Sequence, residues 1–240
     1  MTYNPPMSIA DNVAVLETKI SAACARAARH RSEVNLVAVT KTRTTTEIDE
    51  ALKAGVKHVG ENRVQEAAAK KPQVAGAATW HLVGSLQTNK VKKALELFDF
   101  IQSIDSLHLA EELQRRCEQI DRSIEVLVEV NTSGEISKHG VTPGAAPGLV
   151  AELLKLDRLQ LQGLMTIGPG LAIEDPEVSR PCFKVLRSLA EDCRQRFGVP
   201  LPHLSMGMSS DFEVGIEEGA TIIRVGTAIF GPRPSPVPSP

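Results

Sequence analysis

Eight short strand-like runs, each followed by a helix-like run, constrain this chain more than any other feature. The strand-like runs are residues 36–41, 58–62, 80–84, 100–104, 126–131, 159–168, 203–209 and 221–225. In the first, Leu36, Ala38 and Thr40 alternate with Val37, Val39 and Lys41, so both faces are mostly apolar. A run apolar on both faces is the habit of strands covered on both sides in a parallel sheet.

The intervening runs have helical signals. Thr44-Thr45-Thr46-Glu47 is a capping box; Ile48, Ala51 and Leu52 then share a face, and Gly55 ends the helix. A helix over 63–71 is stopped by Pro72, and others are predicted over 87–97, 106–119, 147–156 and 178–197. Ser210-Asp211-Phe212-Glu213 reads as a second capping box, with Gly219 closing its helix. Ahead of the first strand, Val13, Leu16, Ile20, Ala23 and Ala27 recur at helical spacing over 8–31. Strands alternating with helices imply parallel pairing through right-handed crossovers. Eight such units are the content of a TIM barrel. A doubly wound open sheet would carry a Gly-rich turn after its first strand, and this chain has Thr42-Arg43-Thr44 there. The expected fold is therefore α/β, a single TIM (β/α)8 barrel with an extra N-terminal helix, spanning residues 1–230. Residues 231–240, with a proline at every second position from Pro232 to Pro240, are expected to form a disordered, polyproline-like tail.

Composition narrows the function classes. A net charge of -2 over 240 residues gives no electrostatic case for nucleic acid or an anionic membrane. The N-terminus lacks an apolar signal core, and no stretch is long enough to span a bilayer. The four cysteines, Cys24, Cys117, Cys182 and Cys193, show no metal spacing, so a reducing cytoplasm is expected. Aromatics are only 3%, so the core must be aliphatic and alanine-rich.

In a barrel the chemistry collects at the C-terminal strand ends. Here those ends carry Lys41, Asn62, His81, Asn131, the run Ser205-Met206-Gly207-Met208-Ser209-Ser210-Asp211, and Arg224-Val225-Gly226-Thr227. A lysine on the face of two valines either finds a partner or sheds its charge; a partly desolvated amine attacks carbonyls to form a Schiff base. Taken alone, Lys41 reads as a strand-end lysine reaching into solvent. The loops after strands seven and eight commonly hold phosphate, and Gly207, Ser209, Gly226 and Thr227 are small residues with hydroxyl donors that suit it. Arg224 shares an inward face with Ile222 and Gly226; it pairs with a carboxylate such as Glu129 or donates to a ligand. His81 and Asn62 read as core hydrogen-bonders or ligand contacts. A Schiff-base lysine, a phosphate cradle and an arginine between them suggest pyridoxal 5'-phosphate.

The motifs that carry a family resemblance run in order through the chain. They are Ala-Val-Thr-Lys (38–41), Gly-Glu-Asn-Arg-Val-Gln-Glu (60–66), Trp-His-Leu-Val-Gly-Ser-Leu-Gln-Thr-Asn-Lys (80–90) and Ser-Ile-Asp-Ser (103–106), followed by Val-Asn-Thr-Ser-Gly-Glu-Ile-Ser-Lys-His-Gly (130–140), Gly-Leu-Met-Thr-Ile (163–167), Ser-Met-Gly-Met-Ser-Ser-Asp (205–211) and Arg-Val-Gly-Thr-Ala-Ile-Phe-Gly (224–231). Together they resemble the pyridoxal phosphate homeostasis family, the YggS-type proteins. The resemblance implies a usually monomeric barrel related to the alanine racemase N-terminal domain. It implies that Lys41 carries the cofactor as a Schiff base, with Ser209, Gly226 and Thr227 on the phosphate. Arg224 would face the pyridine nitrogen and Asn62 the ring, with His81 and Met206 also counted at the cofactor. Two departures are visible: Arg63 stands where tyrosine is frequent, and residues 42–46 lack a proline.

The expected function is a non-enzymatic carrier that buffers pyridoxal 5'-phosphate and delivers it to apo-enzymes. The alternative is an amino-acid racemase on the same cofactor. Racemisation needs a second base, supplied in the related enzymes by a tyrosine of another domain; the only tyrosine here is Tyr3, and no second domain is expected. An arginine at the pyridine nitrogen also disfavours its protonation and weakens the electron sink. A Schiff-base aldolase shares the lysine and cradle, but a sugar imine would not absorb visible light.

Overall fold

Parallel strands cannot be joined by a tight turn, so each must be carried back by a crossover before it pairs with the next. In the computed structural model, which describes residues 7–232, these crossovers close the sheet on itself. The strands are β1 (Asn35–Val39), β2 (His58–Glu61), β3 (Thr79–Leu82), β4 (Phe100–Ile104), β5 (Ile124–Glu129), β6 (Leu159–Met165), β7 (His203–Ser205) and β8 (Ile222–Val225). All pair in parallel and in chain order, and β8 returns to β1 with Asn35 opposite Ile222 and Val37 opposite Arg224. This is the expected eight-stranded α/β barrel.

Helices α2 (Thr45–Lys53), α3 (Val64–Lys70), α4 (Val91–Leu97), α5 (Leu107–Gln119), α6 (Ala146–Leu153), α7 (Arg180–Phe197) and α8 (Phe212–Glu217) link the strands, and α9 (Thr227–Phe230) follows β8. Strand alternation divides the apolar residues into two cores. Leu36 and Ala38 join the large layer between sheet and helices, whereas Val37 turns inward to a small cluster with Phe100, Leu127, Met165 and Ile222. Each fully buried Leu, Ile or Phe contributes about 1.5–3 kcal/mol relative to exposure, so the outer layer supplies most of the driving force.

The extra helix α1 (Ile9–Arg26) opens with a capping box in which Ser8 Oγ accepts from the Asp11 N–H at 3.1 Å. Its stripe Val13, Leu16, Ile20 and Ala23 is buried against α2, α8 and α9, across the seam where β8 meets β1. It stops short of Arg31 because Ala28 takes a left-handed φ of 53°, which turns the chain so that Arg29 donates to the carbonyls of Ile216 and Ala220. The Thr44 capping box forms as read.

Three expectations are corrected. Strands β1, β6 and β7 end at Val39, Met165 and Ser205, earlier than the apolar pattern runs; one further ladder bond follows each, such as Thr40 N–H to the Gly60 carbonyl at 2.9 Å, before the chain turns away. The Ser210 capping box does not form. Asp211 is the N-cap, and its carboxylate is drawn elsewhere, accepting from Met208 N–H at 2.7 Å and from Ser179 Oγ at 2.6 Å. The helix expected over 178–197 opens as a 3-10 turn, Pro176–Ser179, and becomes α-helical only at Arg180. The tail at 233–240 and Tyr3 lie outside the described residues; Pro232 is held by Arg43, which donates to its carbonyl at 3.0 Å. Among the described residues no helix is long and apolar enough to cross a membrane.

Gly163 marks the tightest point of the barrel wall. It has a φ of 153°, lies beside a register shift in the β5–β6 ladder, and a Cβ there would sit 1.8 Å from the His203 carbonyl oxygen. Gly163→Ala is expected to cost about 3 kcal/mol or more, because β6 and β7 must separate. Gly134→Ala, at φ 72° with nothing within 4 Å, isolates the backbone term and should cost about 1 kcal/mol. Denaturant unfolding of both variants checks the contrast.

Candidate functional site

The sequence Thr40-Lys41-Thr42 leaves the end of β1 and must reach the Thr44 cap of α2 in a few residues. It does so in a turn closed by Arg43 N–H donating to the Thr40 carbonyl at 3.0 Å, with Thr40 fully buried and Thr42 at a left-handed φ of 64°. Lys41 is the central residue of that turn and is half-buried, placed beyond the strand instead of on it.

The loops after β7 and β8 come to the same end. Ser209 Oγ accepts from the backbone N–H of Gly226 and of Ala228, each at 3.3 Å, which leaves its own hydroxyl proton free to be donated. Arg224 N–H donates to the Gly207 carbonyl at 2.9 Å, binding the two loops together. Gly207, at φ 95°, passes so near α8 that a Cβ would lie 2.9 Å from Phe212 Cα. Gly226 abuts β1: its Cβ would lie 3.2 Å from the Val39 carbonyl oxygen. Thr227 follows as the exposed first residue of α9. A small-residue cradle carrying two hydroxyls therefore sits beside the Lys41 turn. Hydroxyl and backbone N–H groups at such a cleft suit a phosphate, and an adjacent amine suits an aldehyde, so the donors present fit pyridoxal 5'-phosphate.

Beneath the mouth, Arg224 begins a buried polar chain. Its Nη1 donates to Ser205 Oγ at 2.5 Å and its Nη2 to the Thr166 carbonyl at 2.7 Å. Ser205 Oγ lies 2.6 Å from Gln102 Oε1, Gln102 Nε2 lies 2.9 Å from His81 Nδ1, and His81 Nε2 lies 3.1 Å from His58 Nδ1. Guanidinium can only donate, so the direction of every later bond follows. Ser205 gives its proton to Gln102, Gln102 donates its amide to His81, and His81 is the neutral tautomer that donates from Nε2 to His58. Burial, aided by His58 and His203, pushes the His81 imidazole down to about 3. Burial also lowers the Arg224 guanidinium to about 10, which leaves it cationic at neutral pH.

The sequence residues are thus distributed unevenly. Lys41, Ser209, Gly226 and Thr227 gather at the mouth, with Arg224 below them. Asn62 lies just past β2, where Gly84 crosses so closely that a Cβ would be 2.3 Å from the Asn62 carbonyl. His81 is locked within the barrel with both ring nitrogens bonded. The Met206 side chain is fully buried in the layer between sheet and helices, away from the barrel interior. Arg224 does not form the Glu129 ion pair that alternation allowed; its Nη1 and Nη2 turn to Ser205 and the Thr166 carbonyl. Glu129 is nonetheless buried, which pushes its carboxyl up to about 7 against the opposing pull of Arg224. Sequence reasoning missed Gln102, and it placed Ser205 and Thr166 at strand ends without their bonds to Arg224; a glutamine within the apolar run 100–104 was the one available signal.

These buried groups set opposite pH dependences. His81 takes a proton in the unfolded chain below about 6.5 but not in the fold until about 3, so its contribution to stability falls as pH drops through that window. Glu129 holds its proton in the fold up to about 7 against an ordinary 4.5, so its contribution is present below 4.5 and lost as pH rises to about 7. Unfolding midpoints across pH 4–8 should therefore change in Glu129→Gln chiefly by losing the decline between 4.5 and 7.

Comparison with known proteins places this geometry. The family model described as alanine racemase, N-terminal domain, matches residues 14–234. The pyridoxal phosphate homeostasis protein of Aquifex aeolicus (strain VF5) is 45% identical over 220 residues, covering 91% of this chain and 95% of the relative. The structure of PipY from Synechococcus elongatus PCC7942 with PLP bound superposes with a TM-score of 0.81 at 38% identity, covering 93% of this chain and all of PipY. Alanine racemase of Clostridium difficile 630 superposes with a TM-score of 0.73 at 15% identity over 94% of this chain and 58% of the racemase, a likeness of fold alone. The chain belongs to the alanine racemase N-terminal domain family, and within it to the pyridoxal phosphate homeostasis proteins.

Proposed function

We propose that this protein is a carrier of pyridoxal 5'-phosphate that holds the cofactor as a Schiff base on Lys41, buffers it and passes it to apo-enzymes, without catalysing a reaction of its own. The observation that carries this reading is the convergence of the Lys41 turn with the Ser209–Gly226–Thr227 cradle, through the contact of Gly226 on Val39. When bound, the cofactor supplies an aldehyde. The Lys41 amine would hold the cofactor through that aldehyde. The Ser209 and Thr227 hydroxyls would receive the phosphate, and Arg224 would face the pyridine nitrogen. A cation there opposes protonation of the ring nitrogen, which suits storage better than carbanion chemistry. The homeostasis name borne by the relatives supports the same reading. We place the protein in the cytoplasm as a monomer; its four cysteines are all buried free thiols, in keeping with a reducing compartment.

Lys41→Ala should abolish the visible absorption band and the borohydride-fixed adduct while the fold survives; an adduct mapped to another lysine would overturn the assignment. Wild-type protein should show no racemase turnover on free amino acids, and robust racemisation lost in Lys41→Ala would favour the enzyme reading. Thr227→Val removes one hydroxyl donor at nearly constant shape. Hydrogen bonds to charged groups are worth about 1.5–3 kcal/mol, so affinity for the phosphate ester should fall roughly tenfold. Affinity for unphosphorylated pyridoxal should barely change, as titration with both ligands would reveal.

A further inference from the structure

Thr42 is β-branched and adopts a left-handed φ of 64° immediately after Lys41. That conformation is strained for a β-branched residue and persists only where surrounding groups over-determine it. The groups that do so here form a charged cluster around the buried Glu61 on the helix side of the sheet. Gly60 faces the interior, since a Cβ there would meet the inward Val37 at 2.8 Å, and alternation turns Glu61 outward. Glu61 is wholly buried; its Oε1 accepts from Thr40 Oγ1 at 2.7 Å and from Lys70 Nζ at 2.8 Å. The same ammonium donates to the Thr40 carbonyl at 2.8 Å and to Glu66 Oε2 at 3.3 Å, and Glu66 Oε2 accepts the Thr42 N–H at 3.2 Å. Both neighbours of Lys41 are therefore tied to one lysine of α3, Thr40 directly and Thr42 through Glu66.

A buried carboxylate is costly, and Glu61 Oε2 has no hydrogen-bond partner, so this cluster is an expensive way merely to dock a helix. Apolar residues of similar volume would pack α3 against β2 at lower cost. What the cluster does that apolar packing could not is grip backbone polar groups on both sides of a single residue.

We propose that Lys70, Glu66 and Glu61 form a positioning clamp that fixes the backbone of the Lys41 turn and so aims the Lys41 amine at an aldehyde seated in the Ser209–Gly226–Thr227 cradle. This rests on the reading of Lys41 given above. A lysine side chain is a flexible four-carbon stem, so its reach is wide and its aim depends on where its Cα is held. A displacement of about 1 Å at a reacting group can cost on the order of a hundredfold in rate. The clamp thus acts on covalent capture and leaves noncovalent docking of the phosphate untouched.

The test separates those two events. Pyridoxine 5'-phosphate has an alcohol in place of the aldehyde and reports on docking alone, whereas pyridoxal 5'-phosphate reports on docking plus capture. Lys70→Met and Glu66→Ala are each compared with wild type by stopped-flow growth of the visible band, by titration with pyridoxine 5'-phosphate and by thermal unfolding. Glu66→Ala leaves the Lys70–Glu61 pair in place, so it decides the question if Lys70→Met does not fold. The expected result is a fall of about tenfold or more in the rate of Schiff-base formation, with pyridoxine 5'-phosphate affinity within about twofold of wild type. A wild-type capture rate in Glu66→Ala, or parallel losses for both ligands, overturns the clamp. Lys41→Ala runs beside them: a fixed adduct that survives in it, mapped by peptide, would refute the Lys41 assignment itself.

Discussion

The pairing of β8 with β1 is the constraint on which the rest of the molecule depends. It closes the sheet, removes both edges, and brings residues from opposite ends of the chain within contact distance. Gly226 then lies against Val39, which sets the loop after β8 beside the turn after β1. Without that closure Lys41 and Ser209 would be unrelated polar residues on two loops. Helix α1 lies across the same seam and is anchored to the far end of the chain by Arg29 and by Arg26, which pairs with Glu213 and Glu217. The extra N-terminal helix therefore supports the ladder that the mouth depends on.

Inside the barrel, a cation, a serine, a glutamine and two histidines replace what could have been apolar filling. Such a chain is favourable only when its members are satisfied, and here the bonds from Arg224 through Ser205 and Gln102 to His81 run in a single consistent direction. Its consequence is rigidity: Arg224 is held at its two terminal nitrogens by Ser205 and the Thr166 carbonyl, so its position is set before any ligand arrives. On the outer side of β2 the Glu61–Lys70–Glu66 cluster does for the Lys41 turn what the interior chain does for Arg224. The two polar systems flank the mouth from inside and outside the sheet.

Much of this was legible from residue order. The alternation of apolar runs with helix signals was sufficient for the barrel, because only a few topologies accommodate eight parallel strands with short right-handed crossovers. Lys41, Ser209, Gly226 and Thr227 were readable as strand-end residues because a barrel's chemistry has a fixed address. Strand limits were not readable, since Thr40 and Thr166 look like strand residues but lie just past the strand ends, where pairing depends on the neighbouring strands. The Ser210 box failed for a related reason. A capping box is a local pattern, whereas Glu213, its acidic member, pairs with Arg26 of α1, and Asp211 takes the N-cap with its carboxylate bonded to Met208 and Ser179.

Residue order by itself determined the fold class, the two-faced burial of β1 and the clustering of small hydroxyl residues after β7 and β8. These depend on periodicity and local backbone preference, which act over a few residues. Tertiary structure alone decided the partner of Arg224, the inward locking of His81, the placement of Met206 in the outer core and the two-sided grip on Lys41. Each of those turns on which of several equivalent donors and acceptors meet across the sheet, and that is set by barrel closure and register, quantities with no local signature in the chain.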